Sequence, residues 1–186
     1  MRRLFGKSTS LIKLVPTVFI ATSLTATASN AAQPNLESHV KVGQQLPAFT
    51  VTDTAGHKIA TADLKGKVTL IDFWATWCGP CRAEMPRLEK ELWQKHKTEG
   101  FVLIGIAREQ TRAEITAFRN KQHYTYPMAA DETRGIYSQF ADAGIPRNYV
   151  IGSDGKVLFE EVGYSPQQFD KMKKVIEQQL ANLPHP

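Results

Sequence analysis

The sequence contains little cysteine: Cys78 and Cys81 are the only two among its 186 residues. It also has no repeat of fixed period and no low-complexity tract, which argues against solenoid and fibrous architectures. Two cysteines cannot supply the dense disulfide framework of small secreted domains. Because 42% of the residues are apolar and 22% are charged, an ordinary hydrophobic core can hold the chain together. We therefore expect one globular domain preceded by an export segment.

Excess positive charge is also missing from most of the chain. The net charge of +5 arises in residues 1–31, which hold four basic residues and no acidic one: Arg2, Arg3, Lys7 and Lys13. Without these four, the 23 basic residues fall to 19, against 18 acidic ones. A nucleic-acid-binding protein needs a clustered basic face, so we predict no nucleic-acid partner.

Residues 1–31 have the three parts of a secretory signal peptide. The four cations come first, an apolar stretch runs from Leu14 to about Ala28, and Ser29-Asn30-Ala31 offers small residues for cleavage. The apolar stretch is short and contains Pro16, which disfavours a stable transmembrane helix. We predict a cleaved signal peptide and a periplasmic or otherwise exported protein, with an uncleaved membrane anchor as the alternative.

Two further segments follow the leader. Residues 32–42 are predicted to be a mobile N-terminal segment, because they show no periodic pattern and lie next to the cleavage region. Residues 43–186 are predicted to form the folded domain.

The two cysteines lie in the segment Trp77-Cys78-Gly79-Pro80-Cys81. A disulfide ring this short removes little entropy from the unfolded chain, so its value is more chemical than structural. Half of a zinc site and an incidental surface disulfide are the alternatives. Zinc needs two further ligands, and the sequence has no second C-x-x-C and only scattered histidines. We therefore predict no metal.

The cysteine pair is predicted at a junction between a strand and a helix. Residues 67–74 are a β-branched and aromatic run that indicates a buried strand, whereas Met85, Leu88 and Leu92 recur at helical spacing. Cys78 would then precede the first helical turn, where free backbone N–H groups and the helix dipole stabilise a thiolate. Cys81 would lie within that turn and be more buried.

The rest of the pattern predicts a mixed α/β domain. A second apolar strand, two helices and a short strand follow the cysteines, and a hairpin and a final helix capped by Ser165-Pro166 end the chain. A small hairpin precedes them. The predicted ranges are 49–60 for the first hairpin, 101–107, 112–122, 126–130 and 134–140 for the middle elements, and 147–162 for the second hairpin.

The segment from Leu70 to Cys81, LIDFWATWCGPC, resembles the active-site segment of thioredoxins over its whole length. Its continuation, residues 82–86, is similar to the TlpA/ResA/DsbE-like branch, exported thioredoxins that reduce particular disulfides, often during cytochrome c maturation. The resemblance covers roughly residues 43–181. It implies a thioredoxin-like fold of three α/β/α layers with a mixed central sheet. It also implies an extra N-terminal β-hairpin and a helix-containing insertion at 111–128.

The resemblance implies roles for an acid and a proline. Asp72 matches the buried acid of thioredoxins, which has a raised pKa and takes a proton from Cys81. A structural hydrogen bond at the strand end is the alternative. Pro146 matches the cis-proline of the family, and the preceding Ile145 would pair its backbone with an extended client. A plain strand-starting proline is the alternative.

Several neighbours complete the predicted site. Trp77, Gly79 and Pro80 are expected to contact the client together with Ile145 and Pro146. Gly163 matches a glycine that allows a close approach of the last strand.

The sequence also departs from the thioredoxin pattern. Thioredoxins carry a lysine that faces the buried acid, but this strand offers Gly105 and Ile106, with Arg108 as the nearest cation. Glu84 and Glu109 lie near the site in sequence, and we interpret them as charges on a solvated surface, with an acid that supports the site as the alternative.

Taken with the resemblance, the residues predict a thiol–disulfide oxidoreductase whose redox group is the Cys78–Cys81 disulfide, with no other cofactor. The Gly79-Pro80 pair resembles the reducing thioredoxins, so we predict reduction of protein disulfides outside the cytoplasm. Expected partners are protein clients, with apocytochrome c as one candidate, and a membrane thiol electron donor. The protein is expected to be monomeric. A disulfide oxidase or isomerase, and a non-catalytic module that binds haem or a client peptide, remain the alternatives.

Overall fold

A five-stranded sheet forms the centre of the computed structural model, which describes residues 36–184. The predicted leader and the start of the predicted mobile segment lie outside these residues. The strands are β1 (Thr50–Thr52), β2 (Lys58–Ala60), β3 (Val68–Trp74), β4 (Phe101–Arg108), β5 (Met128–Asp131), β6 (Arg147–Ile151) and β7 (Val157–Val162). The helices are α1 (Gly79–Arg87), α2 (Gln94–His96), α3 (Arg112–Gln122), α4 (Tyr137–Phe140) and α5 (Pro166–Ala181). None of these helices is long and apolar enough to cross a membrane.

The central sheet is mixed, as predicted, and has the order β5-β4-β3-β6-β7. Strand β3 lies in the middle, is buried along its whole length, and runs parallel to β4 and antiparallel to β6. The crossover from β4 to β5 passes through α3, and a hairpin joins β6 to β7. Helix α3 thus lies in the region predicted as a helix-containing insertion, and β5 begins where that region ends.

Two hydrophobic cores cover the two faces of the sheet. Leu70 and Trp74 pack into one core together with both cysteines, and Ile71 and Phe73 pack into the other. Helices α1, α3 and α5 contribute to the first core, while α4 and the β1–β2 hairpin contribute to the second. Because side chains alternate along a strand, even-numbered residues of β3 face the cysteine side.

Helix α1 changes its winding after Pro86, where the sequence predicts a kink. Pro86 has no N–H to donate to the carbonyl four residues earlier, and residues Leu88–Trp93 continue the helix with π-helical winding. The apolar positions Met85, Leu88 and Leu92 nevertheless stay buried. The change in winding therefore keeps the predicted apolar face on the sheet.

Helix α4 begins later than the sequence predicts. Arg134 adopts a left-handed backbone conformation with φ of 62°, so the helix cannot begin there. The buried carboxylate of Asp131 instead accepts hydrogen bonds from the N–H groups of Ile136 and Tyr137, at 3.1 and 2.7 Å. These bonds satisfy N–H groups at the start of the helix.

Arg147 ties the beginning of the described chain to the domain. Its buried guanidinium donates to the carbonyl oxygens of Leu36 and Ala143, at 2.9 and 2.7 Å, and to the Ser38 hydroxyl. Ser38 and Val40 are themselves buried. Residues 36–42, which the sequence predicts as part of a mobile segment, thus make specific contacts with the domain.

Candidate active site

Cys78 is the residue that caps the N-terminus of α1. Its Sγ atom accepts a hydrogen bond from the backbone N–H of Cys81 at 3.2 Å, and the two cysteines form a disulfide. Both are nearly inaccessible, with exposures of 5% and 1%. The predicted strand-to-helix junction is therefore present, and its free N–H groups can stabilise a thiolate on Cys78.

The loop before β6 faces the cysteine pair. The peptide bond between Ile145 and Pro146 is cis, as the resemblance implies. The carbonyl oxygen of Ile145 lies 3.8 Å from the Sγ atom of Cys78. Trp77 is 61% exposed, and Gly79 and Pro80 are exposed as well. The residues predicted to contact a client thus surround the only redox pair of the chain.

Asp72 lies on the side of the sheet that carries the cysteines. It shares the even-numbered face of β3 with Leu70 and Trp74, and it is 1% exposed. Burial raises the pKa of Asp72 to about 7. Neither of its carboxylate oxygens has a hydrogen-bond partner within residues 36–184. A carboxyl group in this environment favours its protonated form and can exchange a proton near neutral pH.

Glu84 forms a second buried acid beside Asp72, and its interpretation as a solvated surface charge was wrong. It is 2% exposed, and the Nδ2 atom of Asn148 donates to its Oε1 atom at 2.8 Å. Burial and then the charge of Asp72 raise the pKa of Glu84 well above its usual value. Glu84 lies three residues after Cys81, which places both side chains on one face of α1. This spacing is the signal that could have revealed it.

Asn148, the hydrogen-bond partner of Glu84, also lies next to Asp72. It lies directly opposite Asp72 where β3 pairs with β6, and it is 1% exposed. The sequence gives no sign of this role, because a single asparagine within a strand is an ordinary observation. Its position becomes meaningful only once the strands are paired.

The rings of Trp74 and Tyr126 occupy the space beside Gly105, on the strand where thioredoxins carry a lysine. Gly105 on β4 lies opposite Asp72, and a Cβ atom at this position would come within 3.0 Å of the Trp74 indole nitrogen and 3.1 Å of Tyr126. Tyr126 is fully buried, and burial raises the pKa of its hydroxyl well above the usual value. A long cationic side chain therefore does not fit at residue 105.

Arg108, the nearest cation in sequence, extends away from Asp72. Its guanidinium contacts the rings of Trp77 and Tyr137 and forms an ion pair of 3.2 Å with Glu109. The pKa of Asp72 is accordingly raised by burial alone. Glu109 itself is 44% exposed in its side chain, so its interpretation as a surface charge is confirmed.

Gln110 is a further residue that the sequence did not indicate. It is 5% exposed, its Oε1 atom accepts from the Thr76 N–H at 2.7 Å, and its Nε2 atom donates to the Thr76 hydroxyl at 2.6 Å. Thr76 belongs to the short loop that leads from β3 to Cys78. The paired hydrogen bonds therefore hold this loop in one conformation.

Gly163 is required for a different reason from the one expected. Its N–H donates to the Pro146 carbonyl at 2.8 Å, but no atom lies within 4 Å of a Cβ placed on it. The end of the last strand therefore does meet the Pro146 loop, but a side chain at residue 163 would not block this approach. The backbone there has φ of 85°, a left-handed conformation that favours glycine.

The Redoxin family matches residues 41–180 of this chain. Among curated relatives, the thiol-disulfide oxidoreductase ResA of Bacillus thuringiensis (strain Al Hakam) is 36% identical over 124 residues. The match covers 67% of this chain and 71% of the relative. The sequence therefore resembles enzymes that act on thiols and disulfides.

Solved structures agree with this similarity. A protein from Bacteroides thetaiotaomicron, described as a candidate protein disulfide isomerase, has a TM-score of 0.75 and 37% identity and covers 78% of this chain and 93% of that one. A candidate thiol:disulfide interchange protein DsbE from Chlorobium tepidum has a TM-score of 0.63 and 30% identity, with coverage of 78% and 99%. The predicted thioredoxin-like fold is thereby confirmed.

Proposed function

The chain belongs to the Redoxin family and is a thiol–disulfide oxidoreductase of thioredoxin type, and from this premise we propose that it reduces disulfides of protein clients outside the cytoplasm. The observation that carries the proposal is the placement of Cys78. Its Sγ atom lies at the N-terminus of α1 and 3.8 Å from the Ile145 carbonyl oxygen, beside the exposed Trp77. A thiolate there is stabilised by the helix and lies next to a loop that an extended client can pair with.

The first step of the proposed cycle uses the reduced enzyme. The Cys78 thiolate attacks one sulfur of a client disulfide, the client S–S bond breaks, and a mixed disulfide forms. The other client sulfur leaves as a thiolate and takes a proton from solvent. The residues that contact the client during this step are Trp77, Gly79, Pro80, Ile145 and Pro146.

The second step releases the client. The Cys81 thiol gives its proton to the Asp72 carboxylate, and the Cys81 thiolate attacks the Sγ atom of Cys78. The mixed disulfide breaks, the second client sulfur leaves as a thiolate that takes a proton back from Asp72 or from solvent, and the Cys78–Cys81 disulfide forms. Two electrons have then passed from the enzyme to the client. An external dithiol, which we propose to be a membrane thiol donor, must reduce the enzyme for the next cycle.

Reduction is the favoured direction because Gly79-Pro80 separates the cysteines as it does in reducing thioredoxins. Strong oxidants have potentials near about −120 mV, whereas thioredoxin lies near about −270 mV. Equilibration of the purified domain with redox buffers should therefore give a potential below about −230 mV. A value near that of the strong oxidants would overturn the proposed direction while leaving the oxidoreductase activity intact.

Trapping of the mixed disulfide tests the proposed order of attack. A Cys81→Ala variant should hold insulin, used as a model client, in a covalent complex through Cys78. The matched Cys78→Ala variant keeps one cysteine as well but should hold none. If the complex formed with Cys78→Ala and not with Cys81→Ala, the attacking thiolate would be that of Cys81, and the proposed order of attack would be wrong.

Disulfide isomerisation is the second candidate function, because the structural relative from Bacteroides thetaiotaomicron is described as a candidate isomerase. Recovery of activity from scrambled ribonuclease separates the two functions. An isomerase restores native pairing in catalytic amounts without a net supply of electrons, whereas a reductase consumes a stoichiometric donor.

We further propose apocytochrome c as a client class. Its haem-attachment motif is C-x-x-C-H, which forms an internal disulfide when oxidised. An oxidised C-x-x-C-H peptide should be reduced faster than a matched peptide in which the cysteines are far apart in the sequence. Equal rates would speak against this client class.

A further inference from the structure

Arg108 lies between the rings of Trp77 and Tyr137, near the cysteine pair. It is the last residue of β4, and its guanidinium carbon lies 5.8 Å from the centre of the Trp77 ring and 5.0 Å from that of Tyr137. Its side chain is only 16% exposed. A guanidinium that is largely removed from water interacts more strongly with an aromatic face than a solvated one does.

Tyr137 is the fixed member of this group. It is fully buried, it packs edge-to-face against Phe73 at 5.3 Å, and its hydroxyl donates to the Gly144 carbonyl at 2.8 Å. Gly144 immediately precedes Ile145 and Pro146. The contact between Arg108 and Tyr137 therefore leads directly to the loop that faces Cys78.

Trp77 is the exposed member. Its side chain is 61% exposed, and among the described residues Arg108 is the one cation that lies over its ring. A large exposed side chain on a loop samples several rotamers unless a neighbour restricts it. Arg108 supplies this restriction from a position that is itself held by Tyr137 and by the Glu109 carboxylate.

We infer that Arg108 is a positioning residue for client binding: its contacts to Trp77 and Tyr137 fix the exposed tryptophan relative to the Gly144–Pro146 loop. This inference rests on the proposed function at the same site. It assigns Arg108 an effect on the affinity for extended protein clients and none on the chemistry of the cysteines. Small disulfides, which do not extend along Trp77 and the Gly144–Pro146 loop, should be insensitive to Arg108.

Two substrates separate these effects. Insulin serves as the extended client, and bis(2-hydroxyethyl) disulfide serves as a small uncharged substrate. Arg108→Met should raise KM for insulin by about threefold to tenfold, leave kcat within about twofold, and leave the rate with the small disulfide unchanged. Arg112→Met removes an equal charge from an exposed position on α3 and should change neither rate.

A double-mutant cycle tests whether Arg108 acts through the tryptophan. Trp77→Ala should raise KM for insulin, and adding Arg108→Met to it should raise KM no further. Independent, multiplying effects would show that Arg108 does not act through Trp77 and would overturn the inference. Equal losses with both substrates would overturn it too, because they would place the effect at the cysteines.

The outcomes also distinguish this inference from the proposed function. If the wild-type protein reduces neither substrate, the proposed reductase function fails. If the wild type reduces both and Arg108→Met matches it on insulin, only the role of Arg108 is wrong. Arg108→Lys keeps the charge but not the planar guanidinium, so it should restore only part of the affinity.

Discussion

Asn148 donates a 2.8 Å hydrogen bond to Glu84 and lies directly across the sheet from Asp72. One neutral amide thus adjoins two carboxyl groups that are both removed from water. Burial raises the pKa of both carboxyl groups, and the charge of Asp72 raises that of Glu84 further. We expect the pair to hold a proton at neutral pH.

Asp72 should make the stability of the oxidised protein depend on pH. Its pKa rises from 3.8 in the unfolded chain to about 7 in the fold, so the folded state binds a proton that the unfolded state has released. The free energy of unfolding should therefore fall as the pH rises from 3.8 to about 7. Asp72→Asn removes this loss, and its stabilising effect should grow across that window to at most about 4 kcal/mol. Urea unfolding at pH 4, 6 and 8 measures it, and a difference independent of pH would contradict it.

Glu84 should affect the second chemical step more than the first. Glu84→Gln keeps the shape and the bond to Asn148 but removes the titratable group beside Asp72, so transfer of the Cys81 proton and release of the client should slow by about tenfold or more. Stopped-flow kinetics should show accumulation of the mixed disulfide, while its formation keeps the wild-type rate. Glu132→Gln changes an exposed glutamate and serves as the control. Slowing of both steps alike would assign Glu84 a structural role.

Gln110 should determine how firmly the loop before Cys78 is held. Gln110→Leu removes both hydrogen bonds to Thr76 and leaves the Thr76 N–H without a partner. The free energy of unfolding should therefore fall by about 1–3 kcal/mol. Hydrogen exchange of the Thr76 amide should accelerate accordingly. Thr76→Ser keeps both bonds and is the matched control. An unchanged exchange rate in Gln110→Leu would show that the loop is held by other contacts.

Arg147 should protect residues 36–40, at the beginning of the described chain, from proteases. Arg147→Met leaves the carbonyl oxygens of Leu36 and Ala143 without this donor, and we expect a loss of about 2–4 kcal/mol in stability. Limited proteolysis should then cut near residues 36–40 before the rest of the domain is digested. Arg147→Lys retains some donors and should show an intermediate rate. If the variant resisted proteolysis as well as the wild type does, Arg147 would not be what holds this segment.

The parts of the site that could be predicted lie close together in sequence. Cys78, Cys81 and Asp72 belong to one continuous strand-to-helix segment, whose pattern alone indicates burial, helix start and cysteine spacing. Pro146 was found through the resemblance, because a lone proline before a strand has a common structural explanation. Local patterns were also sufficient for the mixed α/β class, since the alternation of strands and helices can be read along the chain.

The remaining site residues depend on contacts between distant segments. Asn148 and Gln110 are single polar residues whose partners lie 64 and 34 positions away in the sequence. Glu84 was misinterpreted because charged residues on a helix are usually solvated, although its spacing from Cys81 and Leu88 puts it on the buried face. The missing lysine could not be explained from sequence either, because the Tyr126 ring reaches residue 105 only in the folded sheet.

The hydrogen bond from Arg147 to Leu36 also limits how far the chain before Leu36 can extend from the domain. If the leader ends at residue 31, five peptide units separate its end from this fixed point, and they can span at most about 18 Å. A peptidase that acts on the folded protein must then reach a cleavage site that lies within that distance of Leu36.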